Sequence, residues 1–177
     1  MNDNLILVDV YDNEIGKADK AAAHSRPLLH RAFSVFLYDN TQNSARILLQ
    51  KRALSKYHSA GLWANTCCSH PRCGEELLSA AALRLKEEMG INSPPLHEIS
   101  AFVYYHRFHQ ALYEYEFDHV LVGRYSGAYQ VNPEEAAEAA WVAEDTLARD
   151  LRENPFAYAP WFLIAAPLVL RWLKEQK

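Results

Sequence analysis

An α+β sandwich is the fold class the sequence predicts, and three observations lead to it. Apolar runs that read as strands stand both before and after a helix-periodic stretch, in mixed order. Two further helical stretches close the chain. Half of the 177 residues are hydrophobic and 12% are aromatic, which suits one folded domain with a substantial core and not a disordered tail.

The elements follow in order. Leu5 to Val10 reads as a strand, Tyr11-Asp12-Asn13 as a turn, and Ile15 towards Lys20 as a second strand. Arg31 to Tyr38 and Arg46 to Lys51 are apolar strands, joined by the polar loop Asp39-Asn40-Thr41-Gln42-Asn43. Ala53 to Gly74 is rich in Ser, His, Cys and Gly and shows no clean period. A long irregular stretch of that kind inside a compact domain is usually functional. Glu75 to Met89 reads as a helix, with Leu78, Ala81, Ala82, Leu85 and Met89 at helical spacing and Gly90 as its stop. Ala101 to Phe108 and Leu112 to Val122 are expected strands, and Trp141-Val142 a last short one. Asp145 to Arg152 and Ala159 to Lys174 are expected helices.

Composition excludes several function classes. The formal net charge is −4 and the basic residues are scattered, so no electrostatic footprint for nucleic acid is present. The first ten residues lack the basic and apolar regions of a signal peptide. The longest apolar stretch, Tyr158 to Trp172, is interrupted by Pro160 and Pro167 and is too short to span a bilayer. Three cysteines, two of them adjacent, make no disulfide framework. A cytoplasmic protein, monomeric or weakly dimeric, is expected.

Glu114 and Glu116 lie two apart in an expected strand, so both side chains leave one face while Tyr113, Tyr115 and Phe117 leave the other. Paired carboxylates repel unless a cation neutralises them or one holds a proton. A solvated face would explain an isolated Glu-x-Glu. This chain also carries His24 and His30, six apart and suited to a loop running into a strand, and His70 in Thr66-Cys67-Cys68-Ser69-His70-Pro71. Three imidazoles and two carboxylates would hold a divalent metal; imidazole suits Zn and Mn, carboxylate Mg and Mn. Each histidine alone reads as a structural residue rather than a ligand.

Cys68 stands two residues before His70, where a neighbouring metal would let the thiol ionise in part and act as acid or base. A structural zinc hook is the alternative, but Cys73 is the only other nearby thiol and the spacing is poor. Lys20, Arg52, Lys56 and Arg84 are candidate ligands for a diphosphate. Arg84 lies one helical turn before Glu88. That spacing fits a surface ion pair, or an oxygen-only Mg²⁺ site at Glu88 completed by substrate phosphate.

The strings Leu29-His30-Arg31-Ala32-Phe33-Ser34-Val35-Phe36, Gln50-Lys51-Arg52-Ala53-Leu54-Ser55-Lys56, Trp63-Ala64-Asn65-Thr66-Cys67-Cys68-Ser69-His70-Pro71 and Glu114-Tyr115-Glu116-Phe117-Asp118-His119-Val120 closely resemble the type 1 isopentenyl-diphosphate delta-isomerases. The resemblance runs from Lys20 to Pro160-Trp161. It implies a Nudix-like α/β/α sandwich with a mixed sheet, its core at about residues 30–165 of a single domain spanning the chain. It also implies that isopentenyl diphosphate is the small-molecule substrate, with no nucleic-acid or membrane partner.

By the same resemblance Cys68 is the catalytic thiol, Glu116 its carboxylate counterpart, Tyr104 a support for that glutamate and Trp161 an aromatic over the hydrocarbon end. His24, His30, His70, Glu114 and Glu116 would hold Mn²⁺ or Zn²⁺. Glu88 would hold Mg²⁺ with the diphosphate and the main-chain oxygen of Cys68. Lys20, Arg52, Lys56 and Arg84 fall on substrate-binding positions. After Tyr104 the family more often has a basic residue and an Asn-Gly turn. Here Tyr105-His106-Arg107-Phe108-His109-Gln110-Ala111 follows, and His106 and His109 are expected at the rim.

Two other readings remain beside this one. A Nudix-type diphosphate hydrolase needs a box with an extra glutamate and an Arg-Glu pair, where this chain has Ala80 and Leu83-Arg84; only Glu87-Glu88-Met89-Gly90 survives. A zinc-stabilised binding module would leave Glu114, Glu116 and four cations without a role.

Overall fold

The computed structural model describes residues 4–41, 44–92, 94–109 and 112–176. The expected turn residues Gln42, Asn43, Gln110 and Ala111 lie outside these.

β1 (Asn4–Val8) and β2 (Glu14–Asp19) form an antiparallel hairpin. Its turn closes on Asp9, whose carboxylate accepts the N–H groups of Tyr11 and Asn13 at 2.8 and 3.0 Å. A short helix, α1 (Lys20–Ser25), follows directly, so His24 stands on a helix and not in the expected loop. Two local features overrode the loop reading. Asp19 caps the helix by accepting from Ala22 N at 2.8 Å, and three successive alanines favour helix.

β3 (His30–Asp39) is the axis of a sheet with nine strands among the described residues. It runs parallel to β8 (Leu112–Arg124), which pairs antiparallel with β7 (Leu96–His109). On its other side β3 meets β4 (Arg46–Arg52) only through Leu37, Tyr38 and Asp39, and then the two strands part. The segment expected to be irregular fills that fork. Its β5 (Trp63–Ala64) pairs with β4, and its β6 (Cys67–Ser69) pairs with β3. Thr66 ties the fork together, donating from Oγ1 to Leu48 O at 2.6 Å and accepting from Leu37 N at 2.8 Å. Strands this short carry no readable alternation, which is why the sequence shows none.

β9 (Ala136–Ala143) pairs along the whole outer edge of β4 and is longer than the Trp141-Val142 expected, its alternation masked by a run of alanines. β7 likewise begins at Leu96, ahead of the expected Ala101.

Side-chain alternation then gives the sheet two apolar faces. α2 (Leu77–Met89) covers one with Ala80, Ala81, Leu85 and Met89, set against Phe33, Val35, Leu48 and Leu121. It stops at Gly90, whose φ of 65° lies in the left-handed region and whose N–H returns to Lys86 O. α3 (Glu144–Glu153) contributes Leu147 to the opposite layer, and α4 (Pro160–Glu175) contributes Trp161, Phe162, Ala165 and Val169 over Phe36, Ile47, Val120 and Val122. Each fully buried large side chain of this kind contributes about 1.5–3 kcal/mol. The result is the helix–sheet–helix sandwich with a mixed sheet. Among the described residues no helix is long and apolar enough to cross a membrane.

Candidate active site

Strand register places the chemistry. His30, Ala32 and Ser34 of β3 share a face, because alternate residues do. Glu116 stands opposite His30, Asp118 opposite Ala32, and Cys68 opposite Ser34. Tyr104 of β7 stands opposite Glu116. Directly opposed residues point to the same side. Cys68 and Glu116 therefore emerge on one face from strands on either side of β3, while Cys67 turns to the other and is buried in the core under α2.

One cleft opens over this face. Cys68, Tyr104, Glu116 and Trp161 line it, and so do Lys20, Arg52, Lys56 and Arg84. His70, Glu88 and Glu114 also reach it. His24 and His30 are buried. Every residue expected to act on substrate, bind it or ligate metal thus lies in or directly behind the same site.

Behind the cleft, one ligand atom from each of His24, His30, His70 and Glu114 falls within 4.8 Å of all the others. Their chemistry fits a divalent cation. His24 Nδ1–H donates to Lys20 O at 2.6 Å and His30 Nδ1–H to Leu28 O at 2.8 Å. Those bonds leave the Nε2 lone pairs facing inward. Both Nε2 atoms and Glu114 Oε2 are buried without a hydrogen bond, although His24 Nε2 and Glu114 Oε2 are only 3.3 Å apart. Buried polar atoms left unbonded are costly unless something else satisfies them. Burial lowers the His30 pKa to about 4 and holds that of His70 well below its usual value, which favours the neutral imidazole that binds metal. Glu116, the expected fifth ligand, stands at the border of this group. Its Oε1 is hydrogen-bonded to His70 Nε2 at 2.7 Å and is 3.8 Å from His30 Nε2.

The two glutamates are driven apart electrostatically. Burial raises Glu114, but the imidazoles of His24 and His58 more than offset this and hold its carboxyl well below the usual range. Burial, with Glu114 and Asp118 facing it, pushes Glu116 well above its usual value. Tyr104 is hydrogen-bonded to Glu116, and burial raises its phenol too. Cys68 faces the same cleft from β6. Burial, only partly countered by Arg52, pushes its thiol well up, which favours the protonated form.

The cations converge in the cleft, with the Arg84–Glu88 pair the spacing offered and one acidic partner, Glu135, that the sequence did not disclose. Lys56 pairs with Glu135, and Arg84 reaches Glu88 at 2.7 Å and Glu135 at 3.4 Å. Gln50 donates to the second oxygen of Glu88 at 3.0 Å. The Arg52 guanidinium lies 5.2 Å from the centre of the Trp161 ring, and Lys20 lies 5.7 Å from that of Tyr57. Trp161 donates its indole N–H to Asn65 Oδ1 at 3.0 Å, so it packs in the core and faces the cleft at once.

Asp118 and His58 also went unread. Asp118 continues the alternation of Glu114 and Glu116, which was its signal; it accepts from Ser34 Oγ at 2.8 Å, and burial lifts its carboxyl to about 7. Nothing in the sequence marked His58, whose Nε2 lies 2.9 Å from Glu114 Oε1. His106 packs on Phe108 at 4.4 Å and His109 is exposed, so neither joins the buried histidines.

Comparison with known proteins follows the same lines. A NUDIX domain is matched over residues 28–162. The fold resembles the crystal structure of DR0079 from Deinococcus radiodurans (TM-score 0.66, 17% identity, 85% of this chain and 90% of that one). It also resembles a MutT protein from Methanosarcina mazei (TM-score 0.62, 17% identity, 84% and 96%). At those identities the likeness is one of fold. Closer in sequence is Isopentenyl-diphosphate Delta-isomerase 2 of Aromatoleum aromaticum, 48% identical over 91% of this chain and 83% of its own. Isopentenyl-diphosphate Delta-isomerase 1 of the same organism is 48% identical over 100% and 98%. That of Serratia proteamaculans is 48% identical over 92% and 89%. With a NUDIX domain across most of its length and near-half identity to these enzymes over nine-tenths or more of its length, the chain belongs to the isopentenyl-diphosphate Delta-isomerases of the NUDIX family.

Proposed function

We propose that this protein interconverts isopentenyl diphosphate and dimethylallyl diphosphate, with Cys68 and Glu116 as the proton-transferring pair. The single observation that carries the reading is that these two groups enter one cleft from opposite sides of β3, beside four cations. Moving the double bond requires a proton delivered to the terminal methylene carbon, which leaves a cation at the tertiary carbon. A proton is then removed from the adjacent carbon on the diphosphate side. Two groups acting in turn satisfy that requirement, each contributing roughly 10²–10⁴-fold.

The raised Cys68 thiol is suited to carry a proton. Glu116, held by Tyr104 and His70, is suited to the second transfer. Lys20, Arg52, Lys56 and Arg84 would bind the diphosphate and orient the hydrocarbon towards the pair. Trp161 closes the apolar end, where water would otherwise trap the cation.

His24, His30, His70 and Glu114, with Glu116 beside them, would hold a Mn²⁺ or Zn²⁺ ion, by donor type. Glu88 would share Mg²⁺ with the diphosphate. A bound divalent cation would supply the positive charge that keeps the paired glutamates ionised and fixed.

Purified protein given isopentenyl diphosphate in D₂O is expected to form the dimethylallyl isomer, with deuterium entering both recovered substrate and product. Inorganic phosphate released without any isomer would reject the reading in favour of hydrolysis.

Trp161 yields a finer test. Both Trp161→Phe and Trp161→Leu abandon Asn65 Oδ1, a loss of about 1–3 kcal/mol common to the two. Only the phenylalanine keeps an aromatic face, which stabilises a desolvated cation by about 2 kcal/mol. Trp161→Phe is therefore expected to turn over faster than Trp161→Leu at matched melting temperature. Equal kcat values would confine Trp161 to packing.

A further inference from the structure

We propose that His58 is a positioning residue for the metal centre. Its imidazole fixes one oxygen of Glu114 so that the other faces His24, His30 and His70, while its backbone carbonyl steadies Arg52. The inference rests on reading the three histidines and Glu114 as a divalent-metal centre.

The two oxygens of Glu114 are divided between different neighbours. Oε1 lies 2.9 Å from His58 Nε2, and Oε2 lies 3.3 Å from His24 Nε2, inside the group that could hold an ion. Both partners of the His58–Glu114 contact are buried, with side-chain exposures of 7% and 3%. A carboxylate held at one oxygen cannot rotate without breaking that bond, so the other keeps its direction. Outer partners of this kind orient metal ligands elsewhere.

His58 is itself constrained from several sides. Its ring stacks on Phe108 at 4.5 Å and meets the Trp161 ring edge-on at 5.8 Å. The next residue, Ser59, has φ of 49°, a left-handed conformation that a non-glycine residue adopts at a cost. Around it the loop is clamped to β4: Gly61 N donates to Arg52 O at 3.1 Å and Arg52 N to Leu62 O at 2.9 Å. The carbonyl of His58 accepts from Arg52 Nη2 at 3.2 Å and Nε at 3.4 Å. One loop residue therefore touches a ligand of the centre, a cation of the cleft and the aromatic wall between them. The metal-site and diphosphate halves of the cleft share it.

The test uses the full chain with Mn²⁺ alone as the probe, comparing wild type, His58→Ala, His58→Gln and His24→Ala. Glutamine places an amide nitrogen near the position of Nε2 and restores a donor to Glu114. His58→Ala is expected to bind Mn²⁺ about 10–100-fold more weakly, the range for loss of an outer partner, and His58→Gln to recover most of that. Melting of the metal-stripped proteins should not separate the two His58 variants. Equal Mn²⁺ affinity in His58→Ala and wild type, with His24→Ala deficient, would overturn the role of His58 and leave the metal centre standing. Equal weakening in the alanine and glutamine variants would reduce His58 to packing and overturn it as well. If His24→Ala binds Mn²⁺ as the wild type does, the metal-centre reading falls and takes this inference with it.

Discussion

Cys68→Ala is expected to bind isopentenyl diphosphate normally yet isomerise it at least about 10²-fold more slowly, the low end for loss of a general acid or base. The substitution removes one sulfur from the cleft. It leaves the four cations and the buried histidines in place, so substrate affinity is expected to hold. Cys67→Ala should behave in the opposite sense. Its thiol points into the core beneath α2, fully buried among Phe33, Ala81 and Leu85, so its removal opens a small cavity at a modest cost in stability and leaves turnover intact. Cys73, half-buried near Leu5 O at 3.9 Å, should be silent in both. Steady-state kinetics of the three variants, each checked for folding by thermal melting, separate these outcomes. A dead Cys67→Ala beside an active Cys68→Ala would show that the wrong thiol has been assigned to the cleft.

The adjacent cysteines also show where sequence reasoning stops. Their division between two faces follows from strand alternation, but β6 is only three residues long and lies in a segment with no visible period. The resemblance picked out Cys68; the register explains it. Glu114 and Glu116 were legible directly, because β8 is long and alternates Tyr, Glu, Tyr, Glu, Phe, Asp. The same alternation carries Asp118, a third carboxylate on that face. α2 and α4 were legible from their apolar spacing and their ends. His58, Glu135 and Gln50 were not, because each acts through a partner far along the chain: Glu114, Lys56 with Arg84, and Glu88. Such contacts are made by the closing of the fork between β3 and β4 and the packing of α2 across it. No spacing within a single element encodes them.

Metal binding carries the other large effect, with His30→Ala as its probe. His30 is fully buried, its ring centre is 4.9 Å from those of both His24 and His70, and its Nδ1 is already committed to Leu28 O. Its Nε2 has no hydrogen-bonding partner. In the metal-stripped protein that atom contributes no bond, but alanine also gives up the Nδ1–H bond to Leu28 O and opens a cavity at a fully buried position. Metal-stripped His30→Ala should therefore melt below the stripped wild type, and the effect of metal is read for each protein from its own stripped baseline. The loss of a ligand should show when metal is added. A site that binds only the folded state stabilises it by about 2.7 kcal/mol once free metal reaches a hundred times its dissociation constant. Wild type should gain that increment with Mn²⁺ or Zn²⁺, and His30→Ala should gain almost none. Removing a direct ligand should weaken binding beyond the about 100-fold that marks the upper end for an outer partner. Isomerase activity should vanish from the wild type on exhaustive chelation and return on adding metal, whereas His30→Ala should stay inactive at the same metal concentration. A His30→Ala protein that is purified with full metal content, melts with the wild-type increment and turns over normally would remove His30 from the site.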